Sequence, residues 1–145
     1  MTASKQTGYE LKVYPCRRAR EVYRVFQISG DATFDELCAA ILNLFDFDAS
    51  HLYQFCMNDN IYDDDNLQCP YCEDCGPRDT SNTTLDDVGL SKGTKFLFHY
   101  DFGDNWMFNI TVAKVLDDFS SSDVIIIREK GKLSQYCDED EELDE

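Results

Sequence analysis

Long apolar runs are missing from this sequence. No stretch approaches the roughly 18 consecutive apolar residues that a membrane-spanning helix needs. No apolar segment follows the first charged residues either, so the sequence predicts no signal peptide. We therefore expect a cytoplasmic protein that has no membrane partner.

Basic residues are scarce as well. The chain has 13 Lys and Arg against 29 Asp and Glu, which gives a net charge of −16 at pH 7. Nucleic-acid affinity comes largely from basic side chains that neutralise phosphates. This balance argues against direct nucleic-acid binding and favours a basic protein partner. The charges are unevenly spread, because residues 1–30 hold six of the basic residues against two acids.

The length and composition predict one folded domain. A chain of 145 residues with 43% apolar and 13% aromatic residues can bury a substantial core. We expect a single domain over residues 1–137 and a disordered acidic tail over residues 138–145, where like charges repel one another. Seven cysteines in a chain without a secretion signal predict reduced thiols or a metal site.

The longest run of β-forming residues extends from Lys95 to Leu116. Large apolar side chains alternate with other residues on both sides of the cluster Asp101–Asn105. This alternation around a Gly-containing cluster predicts a β-hairpin with one buried face and a bulged turn. The side chains predicted for that face are Phe96, Phe98, Tyr100, Trp106, Phe108, Ile110 and Val112.

The clearest helix is predicted from Phe34 to about Phe45. Thr33 and Glu36 have the spacing of a capping box, in which each side chain bonds the backbone of the other residue. Apolar residues recur here at helical spacing and form one stripe. We expect this stripe to pack on the aromatic face of the hairpin and to bury Trp106 at least in part, near Leu37 and Ile41.

The remaining elements complete a fold prediction. Alternating segments predict strands at Tyr9–Tyr14, Glu21–Ile28, Leu52–Met57 and Val124–Arg128, and a helical turn at Thr84–Leu90. The polar segment Asn58–Thr83 has no periodicity and is predicted to be a long cysteine-bearing loop. The order of elements favours an α+β domain, with a β-grasp-like mixed sheet of about five strands packed on one main helix.

The strongest chemical signal is the series Cys69, Cys72 and Cys75. Two C-x2-C steps share the middle cysteine, a spacing that lets thiolates converge on one tetrahedral zinc ion. Four other residues have suitable chemistry for the fourth ligand: Cys56, Cys137, His51 and Asp74. We predict Cys56 in that role. A thiol-redox function of the same cysteines and a loop without any ligand are the alternatives.

The run Tyr100-Asp101-Phe102-Gly103-Asp104-Asn105-Trp106 resembles the hallmark YDFGDxW of the plasmid pRiA4b ORF-3-like family. Further features follow the order seen in that family: Glu21–Arg24, Thr33–Leu37, Phe45–Asp48, His51–Phe55, Lys130-Gly131 and Gln135-Tyr136. The resemblance covers about Tyr9 to Tyr136. It marks the following as family motif residues: His51, Tyr100, Asp101, Gly103, Asp104 and Trp106.

The resemblance implies a fold more firmly than an activity, since the family occurs among plasmid and transposon passenger proteins without an established biochemistry. We interpret the chain as a non-enzymatic protein-interaction module whose acidic loop and tail bind a basic partner. One alternative is a small zinc-binding or thiol-redox protein centred on the cysteine series. The other is an enzyme with its site at the Tyr100–Trp106 turn, where Asp101 and Asp104 could pair with Arg24.

Overall fold

The computed structural model describes residues 7–16, 21–47, 52–57, 67–68, 79–101, 106–119 and 123–132. These segments contain seven strands, one α-helix and one 3₁₀ turn. Their bounds are β1 Gly8–Pro15, β2 Tyr23–Ser29, α1 Phe34–Leu44, β3 Tyr53–Cys56, β4 Leu67–Gln68, the 3₁₀ turn Asp86–Val88, β5 Lys95–Tyr100, β6 Trp106–Leu116 and β7 Ile125–Lys130. The tail over residues 138–145 and most of the predicted loop lie outside the described residues.

The strands form one sheet in the order β4-β3-β5-β6-β1-β2-β7, and all of the described pairings are antiparallel. The α+β class is confirmed, but the prediction of about five strands in a mixed sheet is wrong. Strand β6 pairs antiparallel with β5 in the hairpin and antiparallel with β1 on its other side. Strand β4 has only two residues, too few to show a periodicity within the segment predicted as a loop.

Helix α1 begins as the sequence predicts. The Thr33 N–H donates to Glu36 Oε1 at 2.9 Å, and the Glu36 N–H donates to Thr33 Oγ1 at 3.1 Å. The capping box is therefore confirmed. The predicted apolar stripe is buried: Phe34, Leu37, Cys38, Ile41, Leu42 and Phe45.

The core lies between α1 and one face of the sheet, and aromatic rings fill much of it. Phe34 from the helix packs 5.1 Å from Phe55, and Phe55 stacks 4.8 Å from Phe98, measured between ring centroids. Phe98 and Phe108 are opposite each other in the hairpin, with centroids 5.9 Å apart. Such pairs each add about 0.5–1.5 kcal/mol beyond the area they bury. The predicted packing of the hairpin's aromatic face on the helix is confirmed.

The segment over residues 79–90 packs against the start of α1. The Asp35 N–H donates to Thr80 O at 2.8 Å, and the Phe34 N–H donates to Thr83 O at 3.0 Å. These bonds satisfy backbone donors that have no partner within a helix. The helical turn predicted over Thr84–Leu90 is a shorter 3₁₀ turn that ends at Gly89, where φ is +67°.

No helix in the described part of the chain is long and apolar enough to span a membrane.

Candidate functional site

The motif turn begins at the end of β5. Tyr100 is fully buried, and its ring stacks 5.9 Å from Phe98. Asp101 follows in the left-handed region with φ +61°, and its N–H donates to Leu52 O at 2.9 Å. Aspartate is among the few residue types besides glycine that adopt this conformation. The bond fixes the end of β5 against the residue that precedes β3.

Trp106 continues the motif on β6, opposite Tyr100. Its ring meets Phe47 edge to face at 4.8 Å and stacks on Phe108 at 6.0 Å. The partial burial predicted for Trp106 is confirmed, and its neighbouring rings are those of Phe47, which follows α1, and Phe108. Its predicted position near Leu37 and Ile41 stays a prediction. Three other motif residues lie outside the described residues: His51, Gly103 and Asp104. The described motif residues therefore pack and shape the end of the hairpin.

The described contacts of Arg24 do not include Asp101, and Asp104 lies outside the described residues. The Arg24 guanidinium is buried and donates to Leu44 O at 3.0 Å, to Lys130 O at 2.9 Å and to Gly131 O at 2.9 Å. It also lies 4.6 Å from the ring centroid of Phe45. Arg24 thus joins the end of α1 to the end of β7, and its role in the fold is structural.

Gly131 makes this arrangement possible. Its φ is +75°, and a Cβ at this position would collide with Glu21 O. The carbonyl of Gly131 can reach Arg24 because no side chain separates the two segments. Two features that carry the family resemblance, the arginine on β2 and the Lys130-Gly131 pair, are therefore parts of one contact.

Two buried tyrosines bond carboxylates near the start of α1. The hydroxyl of Tyr53 donates to Asp35 Oδ1 and lies 3.0 Å from Thr80 Oγ1. The hydroxyl of Tyr9 donates to Asp86 Oδ1 at 2.7 Å. Burial, followed by these hydrogen bonds, raises the pKa of both phenols above the ordinary value. Both groups therefore serve as neutral donors at pH 7.

These contacts bring together two acidic segments. We define the acidic surface by the carboxylates of Asp31, Asp35, Glu36, Asp79, Asp86 and Asp87. All but Asp79, which is partly exposed, are exposed residues. Hydrogen bonds from neighbouring hydroxyl and N–H groups hold several of these side chains, and the bond from Ser81 lowers the pKa of Asp79. The positive end of the α1 dipole favours negative charge here.

Of the four predicted zinc ligands, only Cys56 lies within the described residues. Cys56 is fully buried at the end of β3, whereas Cys69, Cys72 and Cys75 lie outside the described residues. Within the described segments, no three His, Cys, Asp or Glu side chains are grouped so that they could hold a metal ion.

Two further polar contacts lie on the sheet face opposite α1. His99 is buried, and its Nδ1 lies 3.0 Å from Gln54 Nε2. Asn109 Nδ2 donates to Cys16 Sγ at 3.4 Å. Cys16 is partly exposed. Sequence reasoning did not pair these residues, since each contact joins distant parts of the chain.

The comparison with known proteins assigns the chain to a family. Residues 7–135 match the family described as plasmid pRiA4b ORF-3-like protein, and the chain belongs to that family. A similar fold occurs in the crystal structure of MM3350, a protein of unknown function from Methanosarcina mazei Go1. The TM-score is 0.69 and the identity 24%, over 87% of this chain and 71% of the other. No curated protein matches the sequence.

Proposed function

We propose that this protein is a non-enzymatic, cytoplasmic protein-interaction module whose acidic surface binds a basic partner. The observation that carries the proposal is the contact between the start of α1 and the segment over residues 79–90. This contact concentrates six carboxylates from two segments of the chain. The net charge of −16 supports a partner of the opposite sign.

The hydrogen bonds within the acidic surface support a binding role. Thr33 and Thr84 hold Glu36 and Asp87, each through a backbone N–H at 2.9 Å. Side chains that are already ordered lose less conformational entropy when a cationic group binds them. Ionised carboxylates are also strong acceptors for Lys and Arg. The packing role of Tyr100, Asp101 and Trp106 favours a binding module over an enzyme at the motif turn.

Amide substitutions test this proposal because they remove charge and keep an acceptor. The variant Asp79→Asn/Asp87→Asn retains acceptors for the N–H groups of Ser81 and Thr84. A labelled decalysine peptide, followed by fluorescence anisotropy, is the probe. Two exposed charge contacts are together worth about 0.4–2 kcal/mol, so we expect binding about 2- to 30-fold weaker.

The matched control removes two charges elsewhere. The variant Asp117→Asn/Asp118→Asn changes exposed residues after β6, and it should keep most of the affinity. Both variants are also compared in a chain that lacks residues 138–145, because the tail is a competing acidic segment. Equal weakening in the two double variants would show binding to net charge alone and would refute a specific acidic surface.

We also propose that Cys56, Cys69, Cys72 and Cys75 bind a zinc ion. The spacing of the cysteine series supports this second function, and β4, which directly precedes the series, pairs with β3, the strand that ends at Cys56. Gln68, which precedes the cysteine series, lies opposite Gln54, and Cys56 is its diagonal neighbour. Such diagonal positions are about 7–8 Å apart. Thiolates are strong ligands of zinc, and binding in such a loop would be coupled to its folding.

Elemental analysis of protein purified without chelator tests the zinc proposal. We expect about one zinc per chain, as for a closed four-ligand site. The variant Cys72→Ser should lose the metal, whereas the control Cys16→Ser should retain it. Metal-free wild-type protein would rule out the site. A Cys69–Cys72 disulfide under reducing cytosolic conditions would favour the thiol-redox alternative instead.

A further inference from the structure

The sheet face opposite α1, called the far face below, carries two neighbouring rows of side chains. Opposite residues in an antiparallel pair point to the same side of a sheet. The pairings Lys95↔Thr111, Thr111↔Lys12, Lys12↔Val25 and Val25↔Arg128 therefore define one row across five strands. Three of its members, named here the basic row, are cationic: Lys95, Lys12 and Arg128.

The second row is aromatic and polar. Asn109 is opposite Tyr14 on β1, and Tyr23 is opposite Lys130 on β7. Lys12 Nζ lies 5.5 Å from the ring centroid of Tyr14 and 4.8 Å from that of Tyr23, so both rings share its side of the sheet. The two tyrosines, named here the tyrosine pair, are partly exposed, and Lys130 is exposed.

The spacing of the basic row follows from the sheet. Strands lie about 4.8 Å apart, so cations separated by two strands are about 10 Å from each other along the row. Tyr14 follows Lys12 by two residues on β1, and Tyr23 precedes Val25 by two residues on β2. The tyrosine pair therefore lies next to the basic row. A line of cations next to partly exposed rings can contact a phosphate backbone on one side and stacked bases on the other.

Two acidic groups near the basic row have partners of their own. Glu10 lies two residues from Lys12 on β1, is buried, and accepts a bond from Gln27 Nε2 at 3.1 Å. Glu129 lies between Arg128 and Lys130 in the sequence, but its Oε1 is 3.4 Å from Arg24 Nε. Arg24 lies on the helix side of the sheet, since it contacts Leu44 and Phe45. The far-face cations near this row are Lys12 on β1 and Arg128 and Lys130 on β7.

We propose that the far face binds single-stranded nucleic acid. The basic row and Lys130 contact the phosphates, and the rings of the tyrosine pair stack on bases. The net charge predicts repulsion, but charges are screened over about 8 Å at physiological salt. The acidic surface is at the start of α1, on the other side of the sheet, and a helix layer is about 10 Å thick. Bases have flat faces and phosphates are anionic, so this ligand complements both rows, whereas an acidic peptide complements only the cations.

Fluorescence anisotropy with a labelled oligothymidylate of about 15 nucleotides tests the proposal on the full chain. Affinity should fall with salt, and each lost phosphate contact should reduce the slope of log K against log salt by about 0.7. We expect that reduction for Lys12→Gln. The matched control Lys92→Gln removes one exposed cation from the loop before β5, and its slope should equal that of the wild type.

The tyrosine pair supplies a second readout. Tyr23→Leu should weaken binding about 5- to 100-fold, because stacking on that ring is lost. Tyr23→Phe retains the ring and should bind as the wild type does, which separates stacking from the phenol hydroxyl. Both variants should show the wild-type thermal transition, since Tyr23 is partly exposed. Binding that survives Tyr23→Leu would overturn the assignment of the tyrosine pair.

Competition distinguishes nucleic acid from other anions. Unlabelled oligothymidylate should displace the probe, and polyglutamate at the same charge concentration should displace it poorly. Equal displacement by polyglutamate, or no saturable binding of the oligonucleotide, would overturn the proposal. The variant Asp79→Asn/Asp87→Asn should leave oligonucleotide binding unchanged. The experiment therefore distinguishes a failure of the proposed acidic binding surface from a failure of the proposed nucleic-acid site on the far face.

Discussion

Arg24 Nη2 donates to the carbonyl oxygen of Gly131 at 2.9 Å, across 107 residues of sequence. The same guanidinium bonds the last carbonyl of α1, that of Leu44. A planar group with several N–H donors in fixed directions is needed to reach carbonyls in different segments at once. The C-terminal end of the helix and the edge strand β7 are thus held by one side chain.

The first prediction concerns that side chain. Arg24→Lys keeps the charge but loses the fork of donors, so we expect the free energy of unfolding to fall by about 2 kcal/mol or more. Chemical denaturation measures the change. Arg128→Lys, the same substitution at an exposed position of β7, should alter it by less than about 0.5 kcal/mol. If the two variants were equally stable, the buried contact would not contribute as we argue.

The second prediction uses the only tryptophan as a reporter. Phe47 packs 4.8 Å from Trp106 and is buried, so Phe47→Ala should open space beside the indole. We expect a red-shifted emission and a loss of about 3–5 kcal/mol of stability. Phe47→Leu should keep most of the contact and shift the emission less. An emission maximum of the wild-type protein typical of indole in water would contradict the observed packing.

The third prediction tests the left-handed backbone at Asp101. Asparagine tolerates φ near +60°, whereas β-branched residues strongly resist it. Asp101→Asn should therefore be more stable than Asp101→Val, by about 1–2 kcal/mol. Thermal unfolding of the two variants checks this order. A valine variant as stable as the asparagine variant would show that the turn adopts another conformation in solution.

Much of this architecture could be predicted from local sequence. The capping box at Thr33 and the alternation of Phe96, Phe98 and Tyr100 depend on neighbouring residues, and the structure confirms both. The sheet order could not be predicted, because pairing of β1 with β6 joins segments about 100 residues apart and carries no local signal. Period-two patterns reveal strands but not their partners.

The binding surfaces illustrate the same limit. Each carboxylate of the acidic surface is visible in the sequence, but the contact between Asp35 and Thr80 that brings the two segments together is not. Lys12 and Tyr14 alternate with the buried Leu11 and Val13, and this pattern does place Lys12 and Tyr14 on the same side of β1. Their approach to Tyr23 depends on the register of β1 with β2, and it became visible only in the fold.

The last prediction concerns alkaline pH. Burial, and then the bond to the Asp35 carboxylate, raises the pKa of the Tyr53 phenol above its ordinary value near 10. The stability that the neutral phenol contributes is fully present below about pH 10 and is lost as the pH rises toward the raised value. Over that interval the free energy of unfolding should fall by up to about 1.4 kcal/mol per pH unit for this group.

Tyr53→Phe removes the ionisable group, so the free energy of unfolding should depend less on pH above about pH 10. The variant also loses a hydrogen bond, which should lower its stability at neutral pH by about 1 kcal/mol. Asp35→Asn keeps an acceptor for the phenol and removes the negative charge, so its curve should lie between the other two. Urea unfolding at a series of alkaline pH values gives all three curves. Identical slopes for the wild type and Tyr53→Phe would show that the phenol ionises equally well in the folded and unfolded chain, contrary to the burial and hydrogen bonding of Tyr53.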